Sequence, residues 1–80
     1  MDWFKVRYIS GFQGKLKQEH EEVLQAASLR EALARFSDWP VEVRYNCTTA
    51  WAKNPGTSLY YVEAWEAEHC AAPEGARAAP

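Results

Sequence analysis

The residue types that most often carry chemistry are few in this chain and poorly spaced for it. The candidate metal ligands or nucleophiles are His20, His69, Cys47 and Cys70. They form no CxxC or HxxxH pair, and the serines fall where turns and helix caps are expected. Cys47 alternates with apolar residues and fits a small buried hydrophobe. The sequence therefore predicts a protein that is not an enzyme, with no catalytic residue, no metal site and no cofactor.

Carboxylates are more numerous, and they are paired along the chain. Glu19 and Glu21 lie two residues apart, as do Glu66 and Glu68, so on strands each pair shares a side. Without a metal or a pocket, such pairs are typical of edge charges that discourage aggregation between sheets. Two acidic groups also suggest an acidic edge that docks on a basic partner. They are Glu19, Glu21 and Glu22 in one segment and Glu63, Glu66 and Glu68 in the other.

Aromatic and basic residues give the stronger signal, with four Trp, four Tyr and three Phe among 80 residues. Exposed rings beside basic side chains are typical of protein-binding hot spots, and also of sheet surfaces that stack nucleic-acid bases. The candidate partner-binding residues are Lys5, Arg7, Arg44, Asn46, Tyr61, Glu63 and Trp65. The nucleic-acid alternative uses Tyr61, Trp65, Lys5, Arg7 and Arg44. The formal net charge of −2 argues against that alternative.

These side chains must be positioned by a first strand, whose pattern is clear. Residues 3–10 alternate, with Phe4, Val6 and Tyr8 on one face, which predicts a half-buried strand. Gly11 and Gly14 mark the turn that follows it.

The next segment, residues 15–27, has a helical composition, and a single helix from about residue 15 to residue 36 contains no breaker. However, the apolar stripe of residues 26–36 does not continue backward into this segment. Ser28 and Glu31 also form a capping box, which marks a new helix start. We therefore predict a second strand at residues 18–26 and one helix at residues 28–37, with the single long helix as the alternative.

Residues 41–53 and 59–68 are predicted to form a β-hairpin. Pro55 and Gly56 fit a type II turn, in which the glycine takes a positive φ. This turn places Lys53 opposite Ser58 and Thr49 opposite Val62. The resulting core face carries Val43, Tyr45, Cys47, Trp51, Tyr60, Val62 and Ala64. The other face carries Arg44, Asn46, Thr48, Tyr61, Glu63 and Trp65, and a one-residue bulge near the turn would exchange the two faces of one strand.

The predicted fold is α+β, an antiparallel four-stranded sheet with one helix on one face, in the order ββαββ. Residues 1–70 form a single domain, and residues 71–80 form a disordered tail without large apolar residues. The chain shows no signal peptide, no apolar stretch long enough for a bilayer and too few cysteines for a disulfide framework, which favours a cytoplasmic protein. Because one helix covers only one sheet face, the other face is predicted to bind a partner or a second copy of the chain.

Residues 24–33 read Leu-Gln-Ala-Ala-Ser-Leu-Arg-Glu-Ala-Leu, a strand that leads directly into a short amphipathic helix and then a hairpin. This pattern resembles several very small proteins encoded by phages or mobile elements, among them anti-CRISPR inhibitors with one helix packed on an antiparallel sheet. The resemblance covers about half of the chain and carries over no functional residue. It implies a non-catalytic protein that binds a bacterial defence complex by surface contact.

The leading hypothesis is therefore a small protein-binding module or inhibitor that occludes a partner through the open sheet face or an acidic edge. The alternative is a single-stranded nucleic-acid-binding protein that uses an aromatic and basic sheet face.

Overall fold

The computed structural model describes residues 1–44, 48–57 and 60–73. These residues form one antiparallel sheet of five strands in the order β2-β1-β5-β4-β3, with one short helix packed on it. A small antiparallel sheet with one helix is thus confirmed, whereas the predicted four strands and ββαββ order are replaced by five strands and ββαβββ. The elements are β1 (Asp2–Phe12), β2 (Lys15–Ala26), α1 (Leu29–Ala34), β3 (Val41–Val43), β4 (Thr49–Lys53) and β5 (Tyr61–Cys70).

The first hairpin settles the segment that the sequence left between strand and helix. β2 is a strand over its whole length and pairs with β1, so the single long helix is wrong. Phe12 pairs with Lys15 across a two-residue loop, in which Gly14 takes a φ of 83°. The ladder is interrupted once: Tyr8 pairs with His20 and Ile9 with Gln18. Glu19 is therefore the extra residue of a β-bulge.

The helix starts where the capping signal places it. The Ser28 side-chain oxygen accepts a hydrogen bond from the Glu31 backbone N–H at 3.1 Å, which satisfies one of the free donors of the first turn. Leu29, Ala32 and Leu33 are buried against the sheet. A six-residue helix is too short to be stable alone, so this packing holds it in place.

The predicted second hairpin differs from the structure in its strands and its turn. Residues 41–53 do not form one strand, because β3 and β4 pair with each other, and the Arg44 N–H donates to the Thr49 carbonyl at 2.9 Å. Lys53 pairs with Ala64 instead of Ser58. In the turn, the Asn54 side chain accepts from the Gly56 N–H at 2.9 Å, and Gly56 has no positive φ, so the type II turn is wrong.

Some predictions fall outside the described residues. Those on Tyr45, Asn46, Cys47 and Ser58 do so, as does most of the predicted tail, residues 74–80. Residues 71–73 are described and belong to neither helix nor strand. In the described part of the chain, no helix has the length and apolar character that crossing a membrane requires.

The two faces of the sheet follow from the pairing, because directly opposed residues project to the same side. Val6 opposes Ala67, and Ala67 opposes Ala50, so all three lie on the face that contacts α1, which we call the helix-side face. The opposite side is called the open face, since no described helix or strand packs over it.

The predicted faces of β4 and β5 are exchanged in the structure. Trp51, Val62 and Ala64, which were expected on the face beneath the helix, lie on the open face, where Val62 and Ala64 are nevertheless buried. Under the helix the floor of the core consists instead of fully buried alanines, while larger side chains from β1 and α1 fill the volume above it. Small residues let the helix approach the sheet closely. A sequence pattern based on large apolar residues does not identify these alanines as core positions. The alanines are Ala50, Ala52 and Ala67, and the larger core residues include Phe4, Val6 and Leu33.

The alanine floor gives the first prediction. Ala67 is fully buried between β1 and β4 beneath the helix. We expect Ala67→Leu to lower the free energy of unfolding by about 1–3 kcal/mol, because added methylenes overpack the core. Urea denaturation checks this, with Ala34→Leu on the exposed side of the helix as the control. Equal stabilities of the two variants would contradict the assignment of faces.

The first hairpin gives the second prediction. Gly11 has a φ of 134°, and a Cβ there would lie 2.7 Å from the Lys15 carbonyl oxygen. Gly11→Ala should therefore destabilise the fold by about 1–3 kcal/mol or more, because backbone strain and a backbone contact combine. Gly56→Ala is the matched control, since its Cβ would meet only the Asn54 side chain at 3.3 Å. Thermal melts that rank the control as the less stable variant would refute this account.

Candidate functional site

The open face is organised as rows of side chains that run across the strands. The central row contains Glu21, Arg7, Glu66, Trp51 and Glu42, each opposed to the next in the sheet. Because the five residues come from five different strands, the row exists only in the folded sheet. The row beside it contains Val23, Lys5, Glu68 and Thr49.

A network of ion pairs holds the middle of this face. Arg7 is hydrogen-bonded to Glu68, and its Nε lies 3.6 Å from Glu66 Oε1. The other carboxylate oxygen of Glu66 lies 3.6 Å from Nη2 of Arg44. Glu66 is therefore shared by two arginines, and it links the centre of the sheet to the end of β3.

Arg44 also stacks on an aromatic ring. Its guanidinium carbon lies 4.8 Å from the ring centroid of Trp51, within the range of a cation–π contact. The indole N–H of Trp51 donates to Glu42 at 3.5 Å. Arg44 is exposed and Trp51 is half-buried, so together they present a flat, semi-rigid surface to solvent.

The charges of the open face are balanced. In the described residues it carries four cationic and four anionic side chains, and the two signs lie next to each other along the rows. A phosphate backbone would meet as many carboxylates as cations there, whereas a protein surface of mixed sign would match it. The eight residues are Lys5, Arg7, Arg44, Lys53, Glu21, Glu42, Glu66 and Glu68.

Apolar groups lie around this charged centre. Leu16 and Val23 are exposed on β2, by 48% and 36%, whereas Trp3 and Ile9 are half-buried on β1. Next to Trp51, a cleft of about 600 Å³ opens between β3, β4 and the turn that follows β4. Its walls include Pro40, Trp51, Lys53 and Pro55. The open face therefore offers both a planar surface and a recess.

The structure divides the predicted partner-binding residues between the two faces. Lys5, Arg7 and Arg44 lie on the open face, and Asn46 lies outside the described residues. Trp51 belongs to the site although the sequence analysis assigned it to the core. Glu66 and Glu68 were expected at an acidic edge with Glu63, but they lie on β5 in the middle of the sheet, and Glu63 is on the opposite face. The lengths of the two connections around β4, which no local pattern reveals, determine which side these residues face.

The remaining predicted residues, Tyr61, Glu63 and Trp65, lie on the helix-side face and contact other parts of the chain. The Trp65 ring stacks on Phe36 with centroids 4.9 Å apart. Glu63 accepts a hydrogen bond from the Tyr8 hydroxyl at 3.1 Å. Tyr61 meets the Phe12 ring edge-on at 5.4 Å. Their expected position on the open face is therefore wrong.

The histidines and cysteines do not converge. His20 contacts Glu22 at 3.3 Å on β2, whereas the His69 ring lies 4.5 Å from Phe4 on the other side of β1. Cys70 is a free, half-buried thiol, and Cys47 lies outside the described residues. In the part of the chain that the structure describes, no group of three or more potential ligands could hold a metal ion.

Comparison with known proteins returned no relatives: no protein-family model, no curated protein and no solved structure matches this chain.

The Tyr8–Glu63 contact gives a prediction for alkaline pH. Burial, the hydrogen bond to Glu63 and the charge of that carboxylate raise the pKa of Tyr8 from 10.0 to about 12. Between pH 10 and about 12 the unfolded chain therefore loses this proton before the folded chain does, and stability falls as pH rises. The difference in absorbance at 295 nm between wild type and Tyr8→Phe reports the phenolate.

We expect the midpoint of this difference titration near pH 12 in the wild type. In a Glu63→Gln background it should move toward the ordinary value, because the carboxylate no longer opposes ionisation. A wild-type midpoint at the ordinary value would show that the partly buried Tyr8–Glu63 contact does not form.

Proposed function

We propose that this protein is a small, non-catalytic protein-binding module that acts by occluding the surface of a partner. The partner docks on the open face. The observation that carries this proposal is the exposed Arg44 guanidinium stacked on Trp51, beside a cleft and within a charge-balanced surface.

The residue types at this position support a protein partner. Tryptophan and arginine are the side chains most enriched in binding hot spots, where they lie near the middle of the contact and are shielded from water by a rim. Here Glu66 and Glu42 fix the pair before binding, because one holds Arg44 and the other holds the indole N–H. Ordering these side chains in advance lowers the entropic cost of association.

The charge pattern defines the chemistry of the partner. A surface of alternating sign produces no strong long-range attraction for a highly charged polymer, but it sets the register of a mixed-charge protein surface. The cleft beside Trp51, with its proline walls, receives an apolar side chain of the partner. A bacterial defence complex is the first partner to test, since that is what the resemblance to small phage-encoded inhibitors implies.

The nucleic-acid alternative has less support. It requires basic residues and stacking rings on one surface, but Lys5, Arg7 and Arg44 are separated by the sheet from Tyr61 and Trp65. The arginines are also already paired with glutamates. Bases stacked on the helix-side rings would therefore have no basic groups of this set beside them.

Paired variants test the proposal. We expect a tagged wild-type chain to capture a stoichiometric partner from bacterial lysate or to bind a purified defence complex. Trp51→Ala and Arg44→Glu should each weaken that binding about 30-fold or more, the effect of removing a hot spot. Arg30→Glu is the control, because it makes the same charge change at an exposed position on the helix. Isothermal titration calorimetry with the purified partner gives the affinities.

Two outcomes would count against the proposal. If Arg30→Glu weakens binding as much as Arg44→Glu, the open face is not the contact surface. If labelled single-stranded oligonucleotides bind with an affinity that falls steeply with salt, and Arg44→Glu removes that binding, the nucleic-acid function replaces the one proposed here.

A further inference from the structure

β2 forms one edge of the sheet and presents a long, exposed strand. It has 12 residues, and ten of the first eleven are exposed. Its inner side bonds to β1, and in the described part of the chain no strand bonds to its outer side. Such an edge is a template on which another strand can add.

The charges along β2 are ordered in a way that suits one particular strand, a second β2. The first part of β2 carries Lys15 and Lys17, and the later part carries Glu19, Glu21 and Glu22. A single sign along the whole edge would make two copies of β2 repel each other. When two copies of β2 run antiparallel, the basic part of each lies beside the acidic part of the other.

The faces of β2 restrict the possible registers. Before the bulge at Glu19, Leu16 lies on the open face and Lys17 on the helix-side face, since they pair with Gly11 and Ser10. After the bulge the parity changes, so Val23 lies on the open face and Glu22 on the helix-side face. Opposed residues in an antiparallel pair must share a face. A register that places Leu16 opposite Val23 meets this condition along the strand.

In that register the side chains are complementary. Leu16 and Val23, two of the few exposed large apolar residues of the described chain, cover each other on the open face. On the helix-side face Lys17 lies opposite Glu22 of the second copy. Each contact occurs twice, because a two-fold axis relates the copies.

We propose that the occupant of this edge is a second copy of the chain. Two β2 strands pair antiparallel around a two-fold axis at Glu19 and His20, which gives a continuous sheet of ten strands. Both open faces then lie on the same side of that sheet. This inference does not depend on the proposed function, because the edge is separate from the Arg44–Trp51 surface.

Charge exchange provides the test. Sedimentation velocity over a concentration series should show a monomer–dimer equilibrium for the wild type. Lys17→Glu alone and Glu22→Lys alone should each weaken the dimer about tenfold or more, since two pairs of like charges then oppose each other. An equimolar mixture of these two variants should form a heterodimer, because every charge pair across the edge is then opposite in sign.

The control is Lys53→Glu, the same charge reversal on β4, which should leave the dimer unchanged. A wild type that stays monomeric at millimolar concentration would overturn the proposal. So would a dimer that Lys17→Glu weakens no more than Lys53→Glu does, or the absence of a heterodimer from the mixture. Amide hydrogen exchange tests the dimer on the wild type alone. The backbone amides of β2 should exchange more slowly as the protein concentration rises.

Discussion

The difference in size between the helix and the sheet is the constraint on which this structure depends. A helix of six residues is about 9 Å long, whereas a strand of ten residues is about 33 Å long. The helix can therefore cover only part of one face, and the fully buried residues of the described chain, except Ala64, belong to the core cluster around it. The close approach depends on Ala50, Ala52 and Ala67, which leave room for the larger side chains of β1 and α1. Everything beyond the helix must be stabilised by pairing and side-chain contacts within the sheet.

The two faces of the sheet are stabilised by different side-chain contacts. On the helix-side face, beyond the helix, aromatic rings contact each other: Trp65 lies between Phe36 and Tyr8, with centroid distances of 4.9 and 5.0 Å. On the open face the contacts between strands are mainly ion pairs between arginine and glutamate side chains. Half-exposed ion pairs add little to stability, so their main effect is to order the surface. The consequence is that Arg44 is held in place over Trp51 by contacts within the chain itself.

Local signals in the sequence predict the first half of the fold and fail in the second half. The alternation of Phe4, Val6 and Tyr8 predicts β1, and Ser28 predicts the start of the helix, because strand faces and caps are determined by neighbouring residues. The faces of β4 and β5 depend on the length of the connections around β4, which is not a local property. On β4 the inward residues are Ala50 and Ala52, so the larger Trp51 was assigned to the core, and on β5 the predicted register placed Val62 on the same face as Trp51. Lys5 and Arg7 could be placed because they alternate with the inward residues of β1, and Arg44 because it follows Val43, whose face was predicted correctly. Glu66 and Glu68 were expected at an acidic edge, but they lie on the central strand.

The bulge at Glu19 connects the edge of the sheet to its open face. Leu16 and Val23 are seven residues apart, so in a regular strand they would project to opposite sides. The extra residue changes the parity of β2 and brings both apolar side chains to the open face, opposite Gly11 and Lys5 of β1. A bulge can protect an edge because it bends and twists the strand away from a new one. Here it aligns the side chains around it into a self-complementary pattern, and that is the physical reason to regard β2 as a contact surface and not only as a protected edge.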